Sequence, residues 1–270
     1  MRTRIPYSLL LVLFVLLSST FVLSQIQLPA SDPQALALAT RAISALTRGV
    51  SVNDVTLTGS AIWIAGSDKE TGSAVLMAKG RGESRIDLTL TSGARTDVRS
   101  DIASVFPEGA SSFDGGGQQP WSLHNCWTSA SWFFPAFPLL GATFDPSIIV
   151  SYVGQETRGG TSVQHLHWYR YLSGQQPSVV ALTQRVSTTD FYLDSASLLP
   201  VALTFNTHPD DDANTDILIE IKFSNYQPIN GVQIPFHIQK LISGGLALDV
   251  AVARAALNSS LPDGLFAIAH

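Results

Sequence analysis

The sequence predicts an α+β protein in which one antiparallel sheet, dry on one face and wet on the other, carries most of the chain. Three observations point there. Apolar and polar residues alternate with a period of two over successive stretches, among them Val55, Leu57, Ala61 and Trp63, then Ile86, Leu88 and Leu90. The turns between several of these stretches, Gly66-Ser67-Asp68, Asn230-Gly231 and Gly244-Gly245, leave no room for crossover helices, so neighbouring strands pair antiparallel. Helical periodicity, by contrast, is clear only near the start and in a short hydrophobic stretch in the middle.

Taken in order, the chain opens with Arg2 and Arg4, continues with the almost wholly apolar Leu9 to Val22, and reaches a cleavage point at Val22-Leu23-Ser24. Residues 1–24 therefore read as a signal peptide and residues 25–270 as a single exported domain. A retained N-terminal membrane anchor is the alternative; it needs about 20 apolar residues, and Ser18, Ser19 and Thr20 interrupt the run. No cysteine follows that run, which excludes lipid attachment at a processed N-terminal cysteine.

Next, SDPQALALATRAISALTRG carries Asp32 as a cap, Pro33 at a first helical position and Gly49 at an end, with Leu36, Ala39, Ile43 and Leu46 along one stripe. Such an amphipathic helix must lie on something. The strands follow, and the alternation returns at Val201, Leu203 and Phe205, at Ile217, Ile219, Ile221 and Phe223, at Val232, Ile234, Phe236 and Ile238, and at Leu246, Leu248, Val250 and Val252. In the middle, PEGASSFDGGGQQP (Pro107 to Pro120) has the composition of a flexible loop. It leads into WSLHNCWTSASWFFPAFPLLG, the greasiest stretch after the signal. There Pro135 and Pro138 prevent one long helix, and a short, proline-broken helical cover fits best.

Charge and motifs narrow the function. The chain has 16 Lys and Arg against 21 Asp and Glu, a net charge of −5, without the basic clusters that nucleic acid or an anionic membrane surface requires. Charged residues make up 14% of it and hydrophobic ones 45%, whereas soluble proteins average about 25% charged, so a large core, an apolar cavity or both are needed. Cys126 is the only cysteine; it cannot form an intrachain disulfide, and with no basic neighbour it reads as a small buried residue rather than a reactive thiol.

HLHWYRY places His165, His167 and Tyr169 on one strand face, but two histidines are an incomplete metal set, and a solvent-facing aromatic strand is the better reading. HPDDDANTD spaces Asp210, Asp212 and Asn214 like a calcium loop, yet Thr215 stands where glycine is needed and Ile221 where a bidentate glutamate is needed, so it reads as a turn. Asn258-Ser259-Ser260 fits a glycosylation acceptor pattern, a weak motif on its own. No nucleophile elbow, zinc-protease helix, phosphate loop or dinucleotide fingerprint occurs, so the sequence singles out no catalytic residues, metal or cofactor.

Three stretches carry a family resemblance: DFYLDSASLLPVALTF (190–205), FSNYQPINGVQIPFHI (223–238) and LNSSLPDGLF (257–266). Together with the order of elements they resemble the LolA-like superfamily of exported lipoprotein carriers, which includes outer-membrane lipoprotein-sorting proteins. The resemblance implies a strongly curved sheet, an incomplete β-barrel whose concave face is covered by helices and can hold acyl chains.

On that basis the chain is expected to be a non-enzymatic carrier of a lipid, an acylated lipoprotein or another hydrophobic ligand in the periplasm or cell envelope. Trp63, Leu88, Leu203, Phe205, Ile219, Ile221 and Ile234 are candidate cavity wall, and Phe133, Phe134 and Phe137 a candidate lid. In the hairpin, Val232, Ile234, Phe236 and Ile238 should face inward while Gln233 and His237 face water. The alternative is an envelope interaction or sensor module whose sheet is filled by its own helices and which binds another protein at its surface.

Overall fold

The chain leaves one edge of its sheet and crosses to the other through the Trp- and Phe-rich segment, which fills the concave face on the way. A computed structural model describes residues 29–101 and 106–269; the expected signal peptide, residues 1–24, lies outside them. Helix α1 (Pro33–Thr47) is followed by β1 (Asp54–Ala65), β2 (Asp68–Lys79), β3 (Glu83–Leu90), β4 (Gly93–Ser100), β5 (Glu108–Phe113) and β6 (Gln119–Pro120). Helix α2 (Ala136–Phe144), β7 (Ile148–Arg158), β8 (Thr161–Arg170), α3 (Pro177–Val186), β9 (Thr189–Asp194) and β10 (Pro200–Thr207) come next, then β11 (Ile217–Ile229), β12 (Val232–Ile242) and β13 (Gly245–Leu257).

The 13 strands form one sheet in the order β6-β5-β4-β3-β2-β1-β13-β12-β11-β10-β9-β8-β7. It consists of two meanders joined where β1 pairs antiparallel with β13, Val55 opposite Leu257 and Trp63 opposite Leu248. β6 and β7 remain edges, so the barrel is incomplete.

Two glycines let adjacent strands approach where the sheet folds over. A Cβ on Gly59 would lie 2.1 Å from the carbonyl oxygen of Ala251, and one on Gly72 would lie 1.9 Å from that of Thr89. Both neighbours are backbone, so no side chain could move aside.

Helix α1 forms where its caps place it. The Asp32 carboxylate accepts from the Gln34 backbone N–H at 2.8 Å, Pro33 occupies the first turn, and Arg48 and Gly49 end the helix at φ 50° and 83°. Its buried apolar residues are Ala35, Leu38, Ala39, Ala42 and Leu46, while Leu36 and Ile43 are only partly buried. The buried stripe is thus centred on alanines, whose small side chains let α1 lie close against α2, β7 and β12.

The concave core joins α1, the 132–142 segment and the inward residues of β1–β3 and β7–β13. Each fully buried Phe or Leu there contributes about 1.5–3 kcal/mol. On the convex face the C-terminal segment lays Phe266 against Met77 and Val98. Asp54 anchors it, accepting from the backbone of Ser259 (2.7 Å) and Ser260 (2.9 Å).

Three elements depart from the sequence reading. Residues 108–113 and 119–120 of the expected flexible loop are strands, with Ala110 opposite Val98 and buried. Small polar residues hide this, because β5 is held by backbone pairing to the free edge of β4 rather than by an apolar stripe. Helix α3 also went unread: its one dry face offers only Thr183 and Val186 to burial. The proline-broken cover did form, as the turns before Pro135 and the short helix α2, with Pro138 in its first turn.

Candidate ligand-binding site

Most of the candidate wall and lid residues meet in one dry cluster. Leu203 (1% exposed), Ile219 (2%), Ile221 (0%) and Ile234 (0%) pack with Phe133 (0%), Phe134 (1%) and Phe137 (1%). Trp132 meets Phe133 edge-on at 5.6 Å, and Phe134 meets Phe137 at 4.9 Å. Phe205 is half-buried at the margin of the cluster. The aromatic segment is a plug: it occupies the concave face instead of lying over it. Gln233 and His237 are half-exposed on the other face, and His237 bonds Asp249 at 2.9 Å.

Open space lies around this plug. A cavity of about 240 Å³ runs between β4, the 126–130 turn, α2 and β8, walled by Phe106, Trp127, Phe137, Ile148 and Trp168 and by Arg99. A more open groove of about 670 Å³ adjoins it along Val52, Phe137, Leu140 and Phe144, and the two share Arg81, Gly82, Asp101 and Phe137. Phe144 is 65% exposed at this mouth, where Phe106 lies edge-on to Trp127 at 6.0 Å. Trp63 and Leu88 border a third cavity of about 290 Å³ between β3 and β5.

The inward face of β4 is charged, which the sequence reading missed. In register, Arg95 lies opposite Leu88 and Asp97 opposite Ile86, so Arg95, Asp97 and Arg99 share the concave side. The Arg95 guanidinium sits 4.2 Å from the Trp63 ring centre and 4.8 Å from that of Phe113. Asp97 accepts from Ser111 Oγ at 2.6 Å, which in turn accepts from Trp121 Nε1 at 2.7 Å.

Arg99 is buried at 7% exposure and donates to the carbonyl oxygens of Cys126 and Thr128 (2.8 Å), while its buried Nε has no acceptor among the described residues. Burial pushes its pKa down from the ordinary arginine value. Lys240, at an inward position of β12, lies 5.5 Å from the Trp132 ring centre, and burial lowers its pKa as well. The signal for this stripe was the run Arg95-x-Asp97-x-Arg99, whose period of two fits a wet face as well as a dry one.

The remaining motifs serve the structure. His165 Nε2 and His167 Nδ1 both bond Asp190 Oδ1, at 2.8 and 2.9 Å, on the convex face. Burial would raise the Asp190 pKa, but the two histidine hydrogen bonds more than offset it and hold the carboxyl low. Asp212 accepts from Asn214 N–H at 2.8 Å and Thr215 Oγ1 at 2.6 Å, closing its own turn. The Asn258 side chain bridges Asn53 N–H (2.7 Å) and the Ser51 carbonyl (2.8 Å). Cys126 is buried, which raises its pKa.

This architecture recurs in solved structures. A domain described as outer membrane lipoprotein-sorting, from Vibrio parahaemolyticus, superposes with a TM-score of 0.55 at 13% identity, covering 86% of this chain and 96% of that one. A LolA superfamily protein from Nitrosomonas europaea gives 0.51 at 12% identity, covering 86% and 97%. The fold is LolA-like. A DUF1329 family protein from Desulfovibrio piger shares it, with a TM-score of 0.55 at 12% identity over 87% of this chain and 96% of that one. No protein-family model and no curated protein matches the sequence.

Proposed function

We propose that this chain is an exported, non-enzymatic protein that holds the apolar part of a lipid, a lipoprotein acyl group or a similar hydrophobic ligand at the mouth of its half-barrel. The observation that carries the reading is the mouth itself, where the exposed ring of Phe144 flanks cavities floored by Phe137. Apolar surface left wet costs about 25 cal/mol per Å². An acyl chain laid there gains about 0.8 kcal/mol per buried methylene. Phe133, Phe134 and Phe137 act as the plug next to the ligand, and Trp63, Leu88, Leu203, Phe205, Ile219, Ile221 and Ile234 as the wall that the plug protects. The LolA-like fold is compatible with this use but does not choose the ligand.

Export rests on the signal-like residues 1–24. No helix among the described residues is long and apolar enough to cross a membrane, which says nothing of strands.

One observation favours the second reading, a surface-binding envelope module: the wall residues Leu203, Ile219, Ile221 and Ile234 are already covered by the chain's own aromatic segment. Mass spectrometry of protein purified gently from its native envelope separates the two. Lipid or acylated peptide present in stoichiometric amount, and released only on unfolding, supports the carrier. Protein that arrives empty and also fails to bind the uncharged probe N-phenyl-1-naphthylamine rules the carrier out and leaves the surface module.

A further inference from the structure

We infer that the ligand at the mouth is an amphiphile with an oxyanion headgroup, a carboxylate or a phosphate, which docks on the Arg99 guanidinium while its chain lies along the apolar side of the same cavity. This rests on the mouth being the ligand site and adds the chemistry of the headgroup.

The argument starts from an imbalance of charge. Half-buried arginines elsewhere have carboxylates: Arg85 has Asp87 at 2.8 Å, Arg158 has Glu220 at 2.7 Å and Arg170 has Asp145 at 2.9 Å. Arg95, which is in no ion pair among the described residues, is instead held between the faces of Trp63 and Phe113. Arg99 is more deeply buried than these, yet none of the ion pairs among the described residues includes it: its protein acceptors are two neutral carbonyls, and the ring over it, that of Trp121, is 6.0 Å away, farther than either ring over Arg95. An ion taken out of water without a counter-ion costs several kcal/mol, so a guanidinium in this state is poised for an oxyanion, which it can grip with two parallel hydrogen bonds.

The other charges of the cavity leave that role open. Asp145 is neutralised by Arg170, Arg81 is exposed, and Asp101 lies at the exposed rim with its carboxylate over Gly82, where its charge favours the Arg99 cation from a distance without forming an ion pair with it. A bare anion would satisfy Arg99 but make no use of the apolar side of the cavity, where Ile148 is only partly buried; an uncharged lipid would do the reverse. Only an acidic amphiphile meets both halves of the cavity.

The test is displacement of N-phenyl-1-naphthylamine from the full mature protein by oleate, oleoyl lysophosphatidate, oleyl alcohol and inorganic phosphate. The wild-type protein should prefer one or both acidic lipids over the alcohol by roughly 10- to 100-fold, the scale of a hydrogen bond to a charged group. Whichever of oleate and lysophosphatidate wins assigns carboxylate or phosphate.

Arg99→Met should bring the acidic lipid to within about twofold of the alcohol, and Arg99→Lys should keep part of the preference. A purely structural Arg99, holding the turn at Cys126 and Thr128, would instead weaken all the lipids alike in Arg99→Met. Should Arg99→Met not fold, the wild-type ranking together with Arg99→Lys still decides. Displacement by both oleate and lysophosphatidate that is no better than by oleyl alcohol overturns the headgroup assignment while leaving the carrier intact. Inorganic phosphate competing as well as lysophosphatidate overturns it in favour of a free-anion site. Failure of the probe to bind at all sinks the carrier reading itself.

Discussion

Replacing Phe137 with alanine tests whether the aromatic segment is a packed plug. The ring is 1% exposed and lies edge-on to Phe134 at 4.9 Å. Removing a fully buried phenylalanine costs about 3–5 kcal/mol, the sum of lost transfer energy and the cavity left behind. A domain has about 5–15 kcal/mol in hand, so the variant should still fold. At roughly 2–4 °C per kcal/mol for a chain of this size, the melting temperature should fall by about 6–20 °C.

Urea unfolding of Phe137→Ala, Phe134→Ala and the double variant measures this directly. The slope against urea should be unchanged, and the two losses should fail to add by about 0.5–1.5 kcal/mol, the worth of the ring pair. Because Phe137 borders both the 240 Å³ cavity and the 670 Å³ groove, its removal should also tighten binding of N-phenyl-1-naphthylamine. A loss below about 1 kcal/mol, typical of a surface position, would refute the packed plug.

Two further outcomes follow from single contacts. His208 is 4% exposed, and burial holds its pKa below the ordinary histidine value although Asp216, at 3.1 Å, pulls the other way. The unfolded chain therefore binds the proton first, and stability should fall as pH drops from about 6.5 through the folded pKa. His208→Gln removes this component, so a wild-type-minus-variant difference that stays flat between about pH 8 and pH 5 would contradict it. Gly72→Ala would set a methyl 1.9 Å from the Thr89 carbonyl oxygen, backbone that cannot yield without parting β2 from β3. A loss above about 3 kcal/mol, or failure to fold, is expected on thermal melting, and a variant as stable as wild type would show that the strands do not close in there.

What the sequence alone determined is whatever local chemistry encodes. Asp32, Pro33 and Gly49 mark the ends of α1 because capping is settled within a few residues. Val232, Ile234, Phe236 and Ile238 declare a dry face because side chains alternate along any strand. The three family-like stretches pointed to a half-barrel that the fold then displayed.

Only the tertiary structure decided what each face meets. A stripe such as Arg95, Asp97 and Arg99 reads as solvent-facing until β3 and β5 place it against Leu88, Ile86 and the concave interior. By sequence the aromatic segment reads as a lid; its path between the sheet edges carries Phe133 and Phe134 into the core. Burial depends on neighbours distant in sequence. Periodicity can therefore mark a face, but the buried guanidinium of Arg99 acquires its meaning only where strands and turns far apart in the chain close around it.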